Sequence, residues 1–458
     1  MPTQPYRTHI KKTFLIAYPV MLSQLGHILV GVADSIMVGE LGTQPLAAVS
    51  LANSLFSLVL MFGIGLSIAI TPLVAAADGE QNTRQIARIF QHGAVINVIA
   101  SFIFCGLVMI SGRLLPLMNQ PEQVVELTPP YLNLLAFSLI PFMIFQTFRQ
   151  FAEGLSFTRT AMLITLSANG VNIGLNYLLI YGHFGFPELG LNGAGVATLV
   201  SRIIMAAVMA AYVFRAKWFP ATAKLASQLR PALIIRMLKI GIPTGLQYIF
   251  EVGAFSFASI MMGWLGATAL AAHQIALNLS AVSYMVATGL AAAATVRVGN
   301  QLGLKDFPNL RRVGFSAILM SLVLMSVSAV AFITLNHWLP SLYIDELPVI
   351  ELAGSLLIIA AFFQLSDGCQ AVALGTLRGV ADVKIPTIIT LIAYWVIGLP
   401  TGYGFAFGLG WGPQGIWIGL LLSLTIAAIL LTLRFQRISR RLQEQHTPKH
   451  NTSPQITV

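Results

Sequence analysis

Long apolar runs broken by short polar clusters organise this chain from residue 14 onward. Twelve runs reach the length of about 20 residues that a helix needs to cross a bilayer. They fall at 14–38, 46–74, 88–111, 128–149, 160–182, 191–214, 234–263, 268–297, 312–337, 350–377, 386–408 and 413–435. Several exceed the minimum, which predicts tilt or extension beyond the lipid. The clusters between them are too short to fold alone. The longest, 215–233, reads as a linker, and the basic, then polar segment 436–458 as a disordered tail. The first run follows the polar, basic residues 1–12 without a small-residue cleavage signal, so it is expected to be a first span and not a removed signal peptide. The pattern predicts an all-α integral membrane protein of twelve transmembrane helices.

Composition agrees. Of the 458 residues 56% are hydrophobic and 9% charged, where soluble domains carry roughly 25% charged residues. That balance excludes a soluble enzyme, a disordered chain and a disulfide scaffold. Cys105 and Cys369 lie in apolar runs and read as buried thiols. The net charge of +10 would suggest nucleic acid in a soluble protein. Here, with the N-terminus inside, every Lys and Arg except Arg113 and Arg202 falls on the cytoplasmic side. The charge therefore reports orientation: a multi-pass protein of the cell inner membrane with both termini cytoplasmic, surrounded by membrane lipid and with no nucleic-acid partner.

The chain also resembles itself at an offset of about 224 residues. Ala17-Tyr18-Pro19 matches Gly241-Ile242-Pro243, Gly39-Glu40-Leu41-Gly42 matches Gly263-Trp264-Leu265-Gly266, and Glu153-Gly154 matches Arg378-Gly379. Six spans per repeat give both halves the same orientation, related by a pseudo-twofold axis along the membrane normal. The expected organisation is an N-lobe (1–214), a cytoplasmic linker (215–233), a C-lobe (234–435) and the tail (436–458). Two lobes about a central cleft suit alternating access, and a duplication kept for stability would look similar. Pro19 and Pro243 are expected to kink the first helix of each lobe.

Three acids fall deep within spans: Asp34, Glu251 and Asp367. A charge at mid-membrane costs about 2.5–3.5 kcal/mol on insertion scales and usually faces a cavity or a partner. Arg202 is the one obvious cation inside a span, and it cannot neutralise all three. Gln247, Tyr248 and Phe255 share the helical face of Glu251; Phe363, Gln364 and Gln370 share that of Asp367; His27 shares that of Asp34. Asn278 and Tyr284 could face Glu251 from the next span. Carboxylates with amides and aromatics suit small-molecule organic cations, through charge and cation–π attraction. They equally suit Na⁺ or protons, with Glu251 and Asp367 as a candidate Na⁺ site. Asn172, Asn176 and Thr198 could line a second polar pocket with Asp34, or could serve only in helix–helix hydrogen bonds. His273 and Gln274 are expected at the membrane interface. There is no His-Glu-x-x-His motif and no phosphate-binding glycine loop followed by Lys, so neither an enzyme nor an ATP-driven pump is expected.

The elements Val32-Ala33-Asp34-Ser35-Ile36-Met37-Val38-Gly39, Glu153-Gly154-Leu155-Ser156-Phe157-Thr158-Arg159, Arg297-Val298-Gly299-Asn300-Gln301-Leu302-Gly303 and Arg378-Gly379-Val380-Ala381-Asp382 run in order along nearly the whole chain. In them the chain resembles the MATE (multidrug and toxic compound extrusion) family, most closely its NorM branch. The resemblance implies a two-lobed antiporter driven by Na⁺ or H⁺ that exports cationic and amphipathic compounds, without a cofactor and as a monomer. It implies the N-lobe acidic position for Asp34, with Asn172, Asn176 and Thr198 around it, and the C-lobe acidic pair for Glu251 and Asp367. Another branch carries a second acid one turn beyond the asparagine, where this chain has Ile180, and that favours the C-lobe pair. The alternative within the same superfamily is a flippase for lipid-linked precursors, whose anionic substrates call for a basic cleft.

Overall fold

A computed structural model describes residues 4–118, 121–216, 219 and 228–446. Twelve helices are long and apolar enough to cross a membrane: α1 (Tyr6–Gly39), α2 (Thr43–Gly79), α3 (Thr83–Gly112), α4 (Glu122–Gly154), α5 (Thr158–Tyr181), α6 (Leu191–Arg215), α7 (Pro231–Trp264), α8 (Ala267–Gly303), α9 (Phe307–Thr334), α10 (Leu347–Gly379), α11 (Lys384–Gly408) and α12 (Pro413–His446). Large apolar side chains such as Leu29, Phe102, Leu163, Val327, Phe362 and Val396 stand exposed on them. In water such a surface would be a liability; in lipid it is the solvent-matched face. The protein is a multi-pass membrane protein. The expected linker lies largely outside the described residues (217–218 and 220–227), as does the tail from 447 to 458.

The backbone repeats with the sequence. Gly42 and Gly266 adopt φ of 114° and 115° in the α1–α2 and α7–α8 turns, a region that glycine enters without steric cost. Before α3 and α9, Gln81 and Lys305 take left-handed φ of 55° and 57°. The next residues cap the helices: the Asn82 side chain accepts a hydrogen bond from the Gln85 amide (2.9 Å), and the Asp306 side chain accepts one from the Asn309 amide (3.3 Å). Ser156 and Ala381 repeat a left-handed residue after α4 and α10.

Three local features depart from the apolar pattern. First, α2 is interrupted at Ile68 and Ala69, whereas its counterpart α8 is continuous. Second, α11 widens to π-helix over Ile392–Gly398 and again over Gly404–Gly408. It does so where Gly398 and Gly402 lie against Ser423 and Gly419 of α12 and where the Trp395 indole N–H donates to the Phe250 carbonyl at 2.9 Å. Third, the segment after Phe435 does not begin as a disordered tail. It continues α12 to His446, because Phe435 and Ser439 are fully buried, Ile438 and Leu442 pack on the C-half core, and Arg440 pairs with Glu444 one turn on (2.8 Å). Pro19 and Pro243 both lie inside unbroken helices.

The halves interlock at the end of the molecule that carries Tyr6 of α1 and His446 of α12. Ala17 and Met21 of α1 belong to the C-half core, and Met237 and Ile240 of α7 to the N-half core. Gly65 of α2 lies against Gly245 of α7, and Gly289 of α8 against Ala17 and Met21 of α1. At the tips of α2 and α8 the approach is closest. A Cβ on Gly79 would overlap the Asn300 carbonyl, and one on Gly303 the Ala76 carbonyl. Asn300 Nδ2 donates to Asp78 Oδ2 across this seam (3.0 Å). Small residues of this kind let two backbones touch without a side chain between them.

Candidate functional site

Beyond the seam the two halves part around a cavity of about 710 Å³, walled by α1, α2 and α4–α6 from one half and α7, α8 and α10 from the other. Its volume lies in the range of drug-sized sites. Asp34, Asn172 and Thr198 face it from the N-half, and Glu251, Asn278, Tyr284 and Asp367 from the C-half. Seven of the residues expected from sequence thus meet at one space.

On the N-half side, Asn176 Nδ2 donates to Asp34 Oδ1 (2.5 Å) and lies 3.3 Å from Asn172 Oδ1. Asn176 is fully buried and does not itself line the cavity; it holds the acid from behind. Arg202, on α6, also faces the cavity. Its Nη1 donates to Ser138 Oγ (2.8 Å), and its guanidinium carbon lies 5.2 Å and 4.9 Å from the ring centres of Phe56 and Phe142. Among the described residues no ion pair within 4.0 Å joins Arg202 to Asp34.

The C-half side is arranged differently. The Tyr284 hydroxyl donates to Glu251 Oε1 at 3.0 Å. Asp367 is 4% exposed and accepts no hydrogen bond from the described residues, and neither acid has a Lys or Arg within ion-pair distance. Phe255 and Phe363 stand beside them with ring centres 6.0 Å apart, backed by Tyr394 and Trp417. Two carboxylates in an aromatic wall without a resident cation leave room for a mobile one. Among the described residues no group of three or more His, Cys, Asp or Glu could hold a metal ion.

Gln247 and Gln364, expected in this site, do not line the cavity. Each sits on the helical face of its acid but one turn away and buried, at 2% and 0% exposure. Gln247 Oε1 accepts from Arg378 Nη2 (3.2 Å), while neither amide atom of Gln364 finds a protein partner. The Arg378 guanidinium carbon is 5.3 Å from the Tyr248 ring centre. His273 is not interfacial either. It is fully buried, with Nε2 3.0 Å from Ser259 Oγ and Nδ1 accepting from the Trp417 indole N–H at 3.1 Å, whereas its neighbour Gln274 faces the cavity. Sequence reasoning missed Gln24, Phe142 and Ser201 as cavity residues, and Arg202 as anything but a possible counter-ion. For Arg202 the signal was present: a lone cation inside a span.

A smaller cavity of about 130 Å³ lies toward the seam. Glu251 and Tyr284 reach it from the main cavity, and Gln146, Arg149, Glu153 and Arg378 are among its other polar lining residues. Arg149 Nε and Glu153 Oε1 form a buried ion pair at 2.7 Å.

The MatE family model matches the chain twice, over residues 19–178 and 243–404, with starts at the offset of the internal repeat. The multidrug resistance protein NorM of Photobacterium profundum is 35% identical over 450 residues, 96% of this chain and 98% of that protein. A probable multidrug resistance protein NorM of Rhizobium meliloti is 35% identical over 442 residues, 95% of each chain. Among solved structures, the eukaryotic MATE transporter AtDTX14 shares the fold at a TM-score of 0.85 and 22% identity, covering 96% of this chain and 99% of its own.

Proposed function

Because this chain belongs to the MATE family of transporters, we propose that it is a multidrug antiporter that exports cationic or amphipathic organic compounds in exchange for Na⁺ or H⁺. The observation that carries the reading is the 710 Å³ cavity between the halves, into which Glu251 and Asp367 project without a basic partner. The names of the NorM relatives support multidrug transport as the activity.

The bilayer makes those carboxylates demand a positive charge. A proton, a Na⁺ ion or an organic cation can each supply it. The Tyr284 hydroxyl and the Asn278 amide offer neutral oxygen donors to a bound Na⁺, and Phe255 and Phe363 offer ring faces to an organic cation. Because the cargo and the coupling ion satisfy the same acids, loading one releases the other, which is antiport. With the basic end of the molecule cytoplasmic, as the Lys and Arg placement favours, the seam closes the cavity toward the cytoplasm, and loading from inside requires the halves to rock apart there. In this reading the protein sits in the inner membrane with both termini cytoplasmic and works as a monomer, with no cofactor beyond the coupling ion. The polarity of the cavity, two free acids against one Arg, speaks against an anionic lipid-linked substrate.

The test is reconstitution in vesicles, with efflux of an organic cation followed under an imposed Na⁺ gradient and then under an imposed pH gradient. Acceleration by at least one gradient is expected; indifference to both rejects the antiporter reading.

A further inference from the structure

Arg202 has no assigned work in the scheme above. It stands in the wall of the main cavity, on the half opposite Glu251 and Asp367. A guanidinium carries five N–H donors, and among the described residues a single one is used, by Nη1 toward Ser138 Oγ. The guanidinium carbon lies over the Phe56 and Phe142 rings, 5.2 Å and 4.9 Å from their centres, contacts that hold the group without using its remaining N–H donors. The nearest explanation, a counter-ion for Asp34, does not match the geometry. Asp34 takes its hydrogen bond from Asn176, and no ion pair within 4.0 Å joins it to Arg202. Gln24, Asn169 and Ser201 add further polar groups to this part of the wall.

We propose that Arg202 is a specificity-determining residue, a subsite that donates to a carboxylate of the cargo while Glu251 and Asp367 bind its cationic group. The cavity is then bipolar, and its preferred cargo is a zwitterionic amphiphile instead of a simple organic cation. The fork geometry of a held guanidinium suits a planar carboxylate, which it can meet with two parallel hydrogen bonds. This rests on the antiporter reading for the placement of the cationic end.

A matched pair of dyes separates the two ideas: a rhodamine with a free carboxylate and its methyl ester, which share ring system and amines. Equilibrium binding is read by fluorescence polarisation on purified protein, and efflux is read in vesicles. In Arg202→Gln the carboxylate dye should bind about tenfold more weakly or worse, while the ester stays within about twofold of wild type. Arg202→Lys should recover part of the loss, because the charge returns without the fork. Ester binding doubles as the control for correct folding. Equal effects on both dyes, or unchanged binding of the carboxylate dye, overturn the subsite. If wild-type protein fails to move either dye under any gradient, the antiporter reading falls; the binding ratio still decides the role of Arg202.

Discussion

The two halves of this protein share one backbone and differ in how they treat charge. In the N-half the acids at and behind the cavity wall are already answered: Asp34 by Asn176 and Glu153 by Arg149. In the C-half the charges at the cavity and next to it are left open. Asp367 has no hydrogen-bond partner among the described residues, Glu251 has a single tyrosine, and Arg378, at the position equivalent to Glu153, has only the amide of Gln247 and the ring of Tyr248. Duplication supplied two equal scaffolds. One was filled in as a polar wall, and the other kept vacancies that an incoming ion can occupy. Breaking a satisfied charge should therefore damage folding, and breaking an open one should damage transport.

The sharpest break in that comparison comes from the open acids. Glu251→Gln and Asp367→Asn should each reduce coupled efflux to the level of empty vesicles while insertion and thermal stability stay near wild type. Normal efflux in either variant would remove that acid from the exchange. The satisfied pair should behave oppositely. Arg149→Met strands a buried carboxylate on Glu153, a change that costs about 3–5 kcal/mol in comparable buried pairs. Thermal unfolding in detergent should show a large drop, with a much smaller one for Arg378→Met; equal drops would erase the distinction between the halves. Asp34→Asn should lie between, lowering efflux a few-fold at most, since Asn176 already holds the group; complete loss would move the exchange into the N-half. The smallest effects should come from the symmetric pair Thr71 and Thr295. Their hydroxyls donate to the Gln150 carbonyl (3.1 Å) and the Gly375 carbonyl (2.8 Å). Valine at either should cost about 1 kcal/mol or less, and by similar amounts if the halves are mechanically equal.

The span count was legible because a bilayer permits few alternatives: each crossing must be a long apolar helix. The repeat was legible because turn residues with special backbone angles, such as Gly42 and Gly266, tolerate little change. The acids were legible because charge inside a span is rare. Helical periodicity gave the face of a residue but not what stands opposite it. Gln247 and Gln364 share faces with Glu251 and Asp367, yet both are shut behind the cavity wall by neighbouring helices. His273 looked interfacial from its place in its span, but Trp417, far along the chain, covers it. The break in α2 lies beside Gly241 and Gly245 of α7, and the π-helical stretches of α11 lie against α12, neighbours that a single helix does not encode.

The glycine seam between α2 and α8 separates sensing from sealing. Apart from the hydrogen bond from Asn300 to Asp78, the contact at the tips is one of shape, backbone against backbone. Such a closure has little to screen with salt, while the carboxylates beyond it respond to charge directly. An ion arriving in the cavity therefore cannot dissolve the barrier locally and leak through. It can only change the balance between two arrangements of whole halves, so that the barrier parts along its full length or not at all.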